Sequence, residues 1–171
     1  MDHLTSIRIN ELSAKSWVAN EFLDNITCYD VPEHGLDNLI LRLFKPDCEP
    51  FEEEVMTRLA KMCPFISNLQ LSRMHELSEA GRLLMLSLFM QIIQRNPPIQ
   101  VLNMEKFSGD NDRDGSNGEC VLEALMSSNI ESITELDLSN NESWFNQTHL
   151  QEERKGNVDL LLELTTKQAG L

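Results

Sequence analysis

The sequence lacks a long hydrophobic run. Its longest apolar stretch, residues 83–93, has 11 residues and is interrupted by Ser87 and Gln91, whereas about 20 apolar residues are needed to span a bilayer. The N-terminal residues include neither a basic segment followed by an apolar one nor any other sign of a secretory signal. We therefore expect a cytoplasmic or nuclear protein that does not insert into a membrane.

Basic side chains are also few. The chain has 14 Lys and Arg residues against 28 Asp and Glu residues, so its net charge is -14. A chain this acidic repels phosphate backbones and anionic lipid headgroups. We therefore expect no nucleic-acid partner and no membrane-surface partner.

Residues that carry chemistry are scarce and scattered. The four cysteines (Cys28, Cys48, Cys63 and Cys120) show no metal-ligand spacing, and the four histidines do not cluster. No Ser/His/Asp set, Cys/His set or pair of acids stands at a catalytic spacing. We therefore expect no metal, no cofactor and no enzymatic activity. The thiols are predicted to be free and buried rather than joined in disulfides.

Leucine, in contrast, is abundant, with 26 of the 171 residues, a length typical of one domain. Ile133, Leu136, Leu138 and Asn141 stand at positions 0, 3, 5 and 8 of a nine-residue frame. Apolar residues at positions 0, 3 and 5 recur in frames that begin at residues 4, 36, 66, 99 and 133, which gives spacings of 32, 30, 33 and 34. Near-constant spacing of this kind indicates a repeat architecture.

The frames alternate polar with apolar residues, as in 69–71 and 136–138, which is typical of a strand, and each frame is followed by a segment with helical features. The segment 51–63 has acidic residues in its first turn and Lys61 in its last turn, as the helix dipole favours. Ser78 is the predicted N-cap of another helix, which runs to about residue 95. The remaining predicted helices span residues 13–23, 119–128 and 157–166. The unit is therefore a strand, a loop, a helix and a turn.

The frame of residues 133–141 resembles the leucine-rich repeat family, and its ribonuclease-inhibitor-like subclass in particular. The resemblance implies an α/β solenoid over residues 1–171, a horseshoe arc with parallel strands on its concave face and helices on its convex face. Four frames depart at position 8, where Leu12, Phe44, Met74 and Phe107 replace Asn. Residues 170–171 look like the start of a truncated sixth repeat. If the chain is complete, we expect its uncapped repeat ends to be covered by self-association or by another subunit.

Strand alternation predicts which side chains the concave face displays. With positions 0, 3 and 5 in the core, positions 4 and 6 face outward, and we expect a mixed polar surface that includes one exposed isoleucine. The candidate protein-binding residues are Arg8, Ile40, Arg42, Gln70, Asn103, Glu105 and Asp137. Such a face is either a solvated surface or a docking surface for another protein.

The resemblance and the lack of a catalytic set favour a non-enzymatic module for protein–protein interaction. Acidic arrays of this subclass also include GTPase-activating proteins of the Ran system, which is the alternative prediction. That family's active arginine and asparagine cannot be matched to residues of this sequence, so none is assigned.

Two segments carry alternatives. Asp110, Asp112 and Asp114 match the first half of a calcium loop, but Val121 stands where the bidentate Glu is required. The segment is therefore either an acidic insertion or a weak calcium site. Residues 83–93 are predicted to form a helix that is apolar on most sides. Either neighbouring helices cover its apolar surface, or this surface forms a groove for a partner.

Overall fold

The computed structural model describes most of the central part of the chain. The described residues are 5–9, 35–42, 53–108, 116–128 and 132–145, with the single positions 21, 25, 159, 161 and 162. The acidic segment 110–114 and residues 170–171 lie outside them, so the calcium-loop and sixth-repeat predictions are not addressed by the structure.

Five parallel strands form one sheet, in the order in which they occur along the chain. They are β1 (Ser6–Ile9), β2 (Asn38–Arg42), β3 (Asn68–Ser72), β4 (Val101–Asn103) and β5 (Glu135–Asp137). Helices follow the strands, as parallel connections require. The predicted α/β class, with parallel strands and helices, is confirmed.

The register of the sheet joins residues that share a frame position. At position 3, each Cα pairs with that of the next strand in the row Ile7, Leu39, Leu69, Leu102, Leu136. The carbonyl at position 1 of one unit also accepts hydrogen bonds from the N–H groups at positions 1 and 2 of the next. These acceptors are Thr5, Asp37, Ser67 and Gln100, at donor–acceptor distances of 2.8 to 3.1 Å. All four junctions are therefore closed by the same backbone bonds.

The apolar frame positions fill one core on one side of the sheet. Described side chains at position 0 are buried, among them Leu36, Ile66 and Ile99. Those at positions 3 and 5 join the same cluster, although Ile9, Leu136 and Leu138 are only half-buried. Helical residues complete this cluster, so the helices pack against this side of the sheet, and the other side carries mainly polar residues.

The helices begin and end where their termini are stabilised. They are α1 (Glu53–Lys61), α2 (Glu79–Ile93), α3 (Ser116–Ser127) and the short α4 (Glu142–Phe145). At the start of α2, Ser78 Oγ accepts a hydrogen bond from Gly81 N at 3.2 Å, which confirms the predicted N-cap. Asn96, with a φ of 53°, and the following prolines end that helix. The described residues within the predicted helices 13–23 and 157–166 are helical.

The turn after the strand keeps one conformation despite the missing asparagines. Position 7 has a positive φ in three successive units, at Arg73 (60°), Lys106 (51°) and Asn140 (59°). The residue at position 8 is buried in each of them: Met74, Phe107 and Asn141. An apolar residue in place of Asn therefore leaves this turn intact.

The two described cysteines are free, and their environments differ. Cys63 is buried, and Cys120 is exposed. The prediction of a buried thiol was therefore wrong for Cys120, because it lines an open groove between α2 and α3. Burial raises the pKa of the Cys63 thiol to about 12, although Arg95 nearby lowers it slightly.

This buried thiol makes stability depend on pH in the alkaline range. The unfolded thiol ionises near its ordinary pKa of 9.0, so above pH 9 the unfolded chain loses a proton that the folded chain keeps. The free energy of unfolding is therefore expected to fall by about 1.4 kcal/mol between pH 8 and pH 10 from this group. Urea unfolding at both pH values, for the wild type and Cys63→Ala, measures this contribution. An equal fall in the two proteins would contradict it.

No helix among the described residues is long and apolar enough to cross a membrane.

Candidate protein-binding face

The face of the sheet opposite the core is polar, and we call it the polar face. It consists of the residues at frame positions 2, 4 and 6, which lie on the five strands or shortly after them. Side chains alternate across a strand, so these residues point away from the helices. The apolar cluster contains none of the described members of this set.

Position 4 forms one continuous row across the sheet. The Cα atoms of Arg8, Ile40, Gln70, Asn103 and Asp137 are paired from each strand to the next. The structure therefore brings five of the seven predicted residues together in one line. Of the other two, Arg42 is paired with Ser72 on β3, and Glu105 follows β4.

Hydrogen bonds hold many of these side chains in place. Arg42 Nη2 donates to Gln70 Oε1 at 2.9 Å, and Gln70 Nε2 donates to Asn68 Oδ1 at 3.1 Å. Farther along the row, Asn103 Nδ2 donates to Asp137 Oδ2 at 3.1 Å. Side chains ordered in the free protein lose less conformational entropy when a partner binds. The polar face is therefore preorganised.

The acidic end is fixed by further contacts. Asp137 Oδ1 accepts hydrogen bonds from the backbone N and the Oγ of Ser139, at 3.0 and 2.6 Å. Arg73 Nε lies 3.7 Å from Glu105 Oε2, with 44% and 24% of the two side chains exposed. Ion pairs this accessible contribute little to stability, so these groups are available to a partner.

Two residues of the polar face are less accessible than alternation predicts. Ile40, predicted to be exposed, is only 3% exposed, because it lies between Arg8 and Gln70 in the row. Ser72 is 1% exposed, and its paired residue Arg42 on β2 extends over to Gln70 on β3. Among the described residues, Ser72 Oγ and Arg42 Nε have no hydrogen-bond partner. Alternation gives the side of the sheet, whereas burial depends on the length of neighbouring side chains.

The charges of the polar face are separated across the sheet. Arg8 and Arg42 lie on β1 and β2, β3 itself carries only neutral side chains, and Arg73 after it lies beside Glu105. Glu105, Glu135 and Asp137 lie on or directly after β4 and β5. Adjacent strands are about 4.8 Å apart, so the β2 and β5 charges are separated by roughly 14 Å. The face is mixed overall, as predicted, but it has a basic end and an acidic end.

The described residues form no cluster of three or more His, Cys, Asp or Glu side chains that could hold a metal ion. The groove between α2 and α3 is not identifiable from the sequence, because the residues that line the groove form no sequence motif.

No family model, no curated protein and no solved structure matches the chain. Its function is therefore inferred from its own geometry.

Proposed function

We propose that the chain is a leucine-rich repeat solenoid that binds a protein partner through the polar face. The observation that carries this proposal is the row of side chains at position 4, paired across all five strands, with opposite charges at its two ends. A long, preorganised row without a catalytic set suits recognition of an extended protein surface.

The repeated junctions support the solenoid. Four junctions use the same pair of backbone hydrogen bonds, and three turns share a left-handed residue at position 7. Strands repeat every 4.8 Å or so, whereas packed helices need about 8–10 Å. An array with strands on one side and helices on the other must therefore curve toward its strands. The polar face is then the concave surface.

The charge separation defines the partner that fits. Acidic groups of the partner would lie over Arg8 and Arg42, and basic groups over Glu135 and Asp137. Charge complementarity of this kind accelerates association and sets orientation, and salt screens it. We therefore expect binding to weaken as ionic strength rises.

Charge reversal at an exposed position tests this surface. Arg8→Glu is expected to reduce the recovery of specific partners from native lysate about tenfold, measured by affinity capture with quantitative mass spectrometry. The matched control is Lys61→Glu, the same charge change at an exposed position on α1. Equal recovery with both variants would show that the polar face is not the binding surface.

A GTPase assay separates this function from the alternative. The same preparations are added to a Ran-type GTPase loaded with GTP, and phosphate release is followed. A partner bound without faster hydrolysis supports the interaction module. Accelerated hydrolysis that Arg8→Glu abolishes would assign regulatory GTPase activation to the chain instead.

A further inference from the structure

A second surface lies on the helical side of the molecule. The C-terminal half of α2 and helix α3 enclose an open groove with a volume of about 460 Å³. Met90 and Ile93 line it from α2, and Cys120, Glu123 and Ala124 line it from α3. The groove is far from the position 4 row, because the sheet separates the two.

Small side chains on α3 leave this groove open. Cys120, Ala124 and Ser127 stand at i, i+4 and i+7, so they share one face of the helix and point toward α2. A large apolar residue at any of these positions would fill the space between the helices. The opposite wall carries Met90, whose thioether side chain adapts to differently shaped apolar partners.

The apolar surface of the groove continues along α2. Leu83 is 51% exposed, and Leu86 and Met90 are half-buried. These residues stand at i, i+3 and i+7, so they form a strip about 10 Å long. Of the alternatives for this helix, the described neighbouring helices bury its inner side. On its outer side Leu83, Leu86 and Met90 leave apolar surface that leads into the groove.

The charge around the groove indicates what can occupy it. Among the described lining residues, Glu123 alone is charged, and Glu119 lies one helical turn before it. Arg95 stands between the lining residues Gln94 and Asn96 but does not itself line the groove, and it is close enough to Cys63 to lower the pKa of that thiol. A second copy of the chain is a poor occupant, because each copy carries a net charge of -14.

We propose that this groove binds an amphipathic helix of a partner protein, with a Lys or Arg that pairs with Glu123. Apolar residues of that helix at i, i+3 or i+4, and i+7 would lie on the strip and in the groove, as in other helix-in-groove complexes. A basic residue on its flank would make a charge-assisted hydrogen bond with the carboxylate of Glu123. This site is independent of the partner proposed for the polar face.

A peptide selection on the full-length chain tests the groove. Phage-displayed helical peptides of about 14 residues are selected on the wild type and counter-selected on Met90→Lys. The new lysine places a positive charge on the strip, which repels the Lys or Arg expected in the peptides. Ser127→Arg, at an exposed position in the groove wall, serves as a second blocking variant, because Met90 is half-buried. Thermal unfolding confirms that each variant is folded.

The expected peptides carry three apolar residues on one face and a Lys or Arg beside them. Fluorescence anisotropy should show about tenfold weaker binding to Met90→Lys, Ser127→Arg and Glu123→Lys. Binding to Ala80→Lys, exposed on α2 outside the groove, and to Arg8→Glu on the polar face should stay within about twofold.

Three results would overturn the proposal. One is a selection that yields no peptide sensitive to Met90→Lys or Ser127→Arg. Another is acidic peptides whose binding does not change with Glu123→Lys. The third is a wild-type dimer, by light scattering, that Met90→Lys converts to a monomer, since a second copy would then occupy the groove. Loss of lysate partners in Arg8→Glu with normal peptide binding would leave the two surfaces separately assigned.

Discussion

Replacing Gly118 by alanine is expected to lower the free energy of unfolding by about 2 kcal/mol. Gly118 lies in the first turn of α3, where alanine normally favours a helix by up to about 1 kcal/mol. Here a Cβ would lie 2.5 Å from Trp144 Cγ. Trp144 is fully buried, and its ring packs at a tilt against Phe107, with centroids 6.1 Å apart. The ring cannot yield, so overpacking outweighs helix propensity.

Chemical unfolding measures this effect, and two further variants isolate its cause. Gly81→Ala, in α2, places its new Cβ 3.3 Å from Leu77 Cβ. It should therefore change the free energy of unfolding by less than about 1 kcal/mol. In a Trp144→Leu background, Gly118→Ala should cost less than about 0.5 kcal/mol, because the ring that it contacts is gone. An equal cost in both backgrounds would mean that Trp144 is not the cause.

Replacing Asn141 by methionine is expected to cost about 3 kcal/mol. The Asn141 side chain is 2% exposed and joins two units. Its Nδ2 donates to Met104 O at 2.8 Å and to Leu138 O at 3.0 Å, and its Oδ1 accepts from Ser108 N at 2.9 Å. Methionine fills the same space, as Met74 does two units earlier, but it would leave buried backbone groups without partners.

The matched control for this prediction is the neighbouring residue. Asn140 is exposed and has a φ of 59°, a conformation that glycine adopts readily. Asn140→Gly should therefore change stability by less than about 0.5 kcal/mol in the same urea titration. Wild-type stability for Asn141→Met would show that the turn of the fifth unit, like those of Met74 and Phe107, does not depend on an amide.

Much of the fold can be read from the apolar residues alone. Positions 0, 3 and 5 locate all five strands, because burial of one face leaves a periodic pattern. The shared turn cannot be predicted in this way, because Met74 and Phe107 do not resemble Asn141. The contacts that repeat from unit to unit are backbone hydrogen bonds, which leave no pattern in the sequence. Helix α4 also escapes prediction, because its four residues are too short to show a stripe.

The candidate site divides in the same way. Strand alternation identifies the row from Arg8 to Asp137, and the register of the sheet then separates its charges. Strand alternation does not reveal the burial of Ile40, because this burial depends on side chains of the adjacent strands. The α2–α3 groove is invisible for a related reason. The small residues of α3 become informative only when it is known that α2 lies opposite them.

The paired hydrogen bonds at frame position 1 have a consequence for how such a protein can evolve. Their donors and acceptors are main-chain groups, and the acceptor residues are as different as Thr5, Asp37, Ser67 and Gln100. The bonds at this position therefore need no compensating side-chain change when the residue at position 1 changes, whereas a junction such as that of Asn141 also depends on side chains. Point mutation at position 1 can therefore change the side chain that this edge of the sheet displays without breaking the bonds that pair the strands.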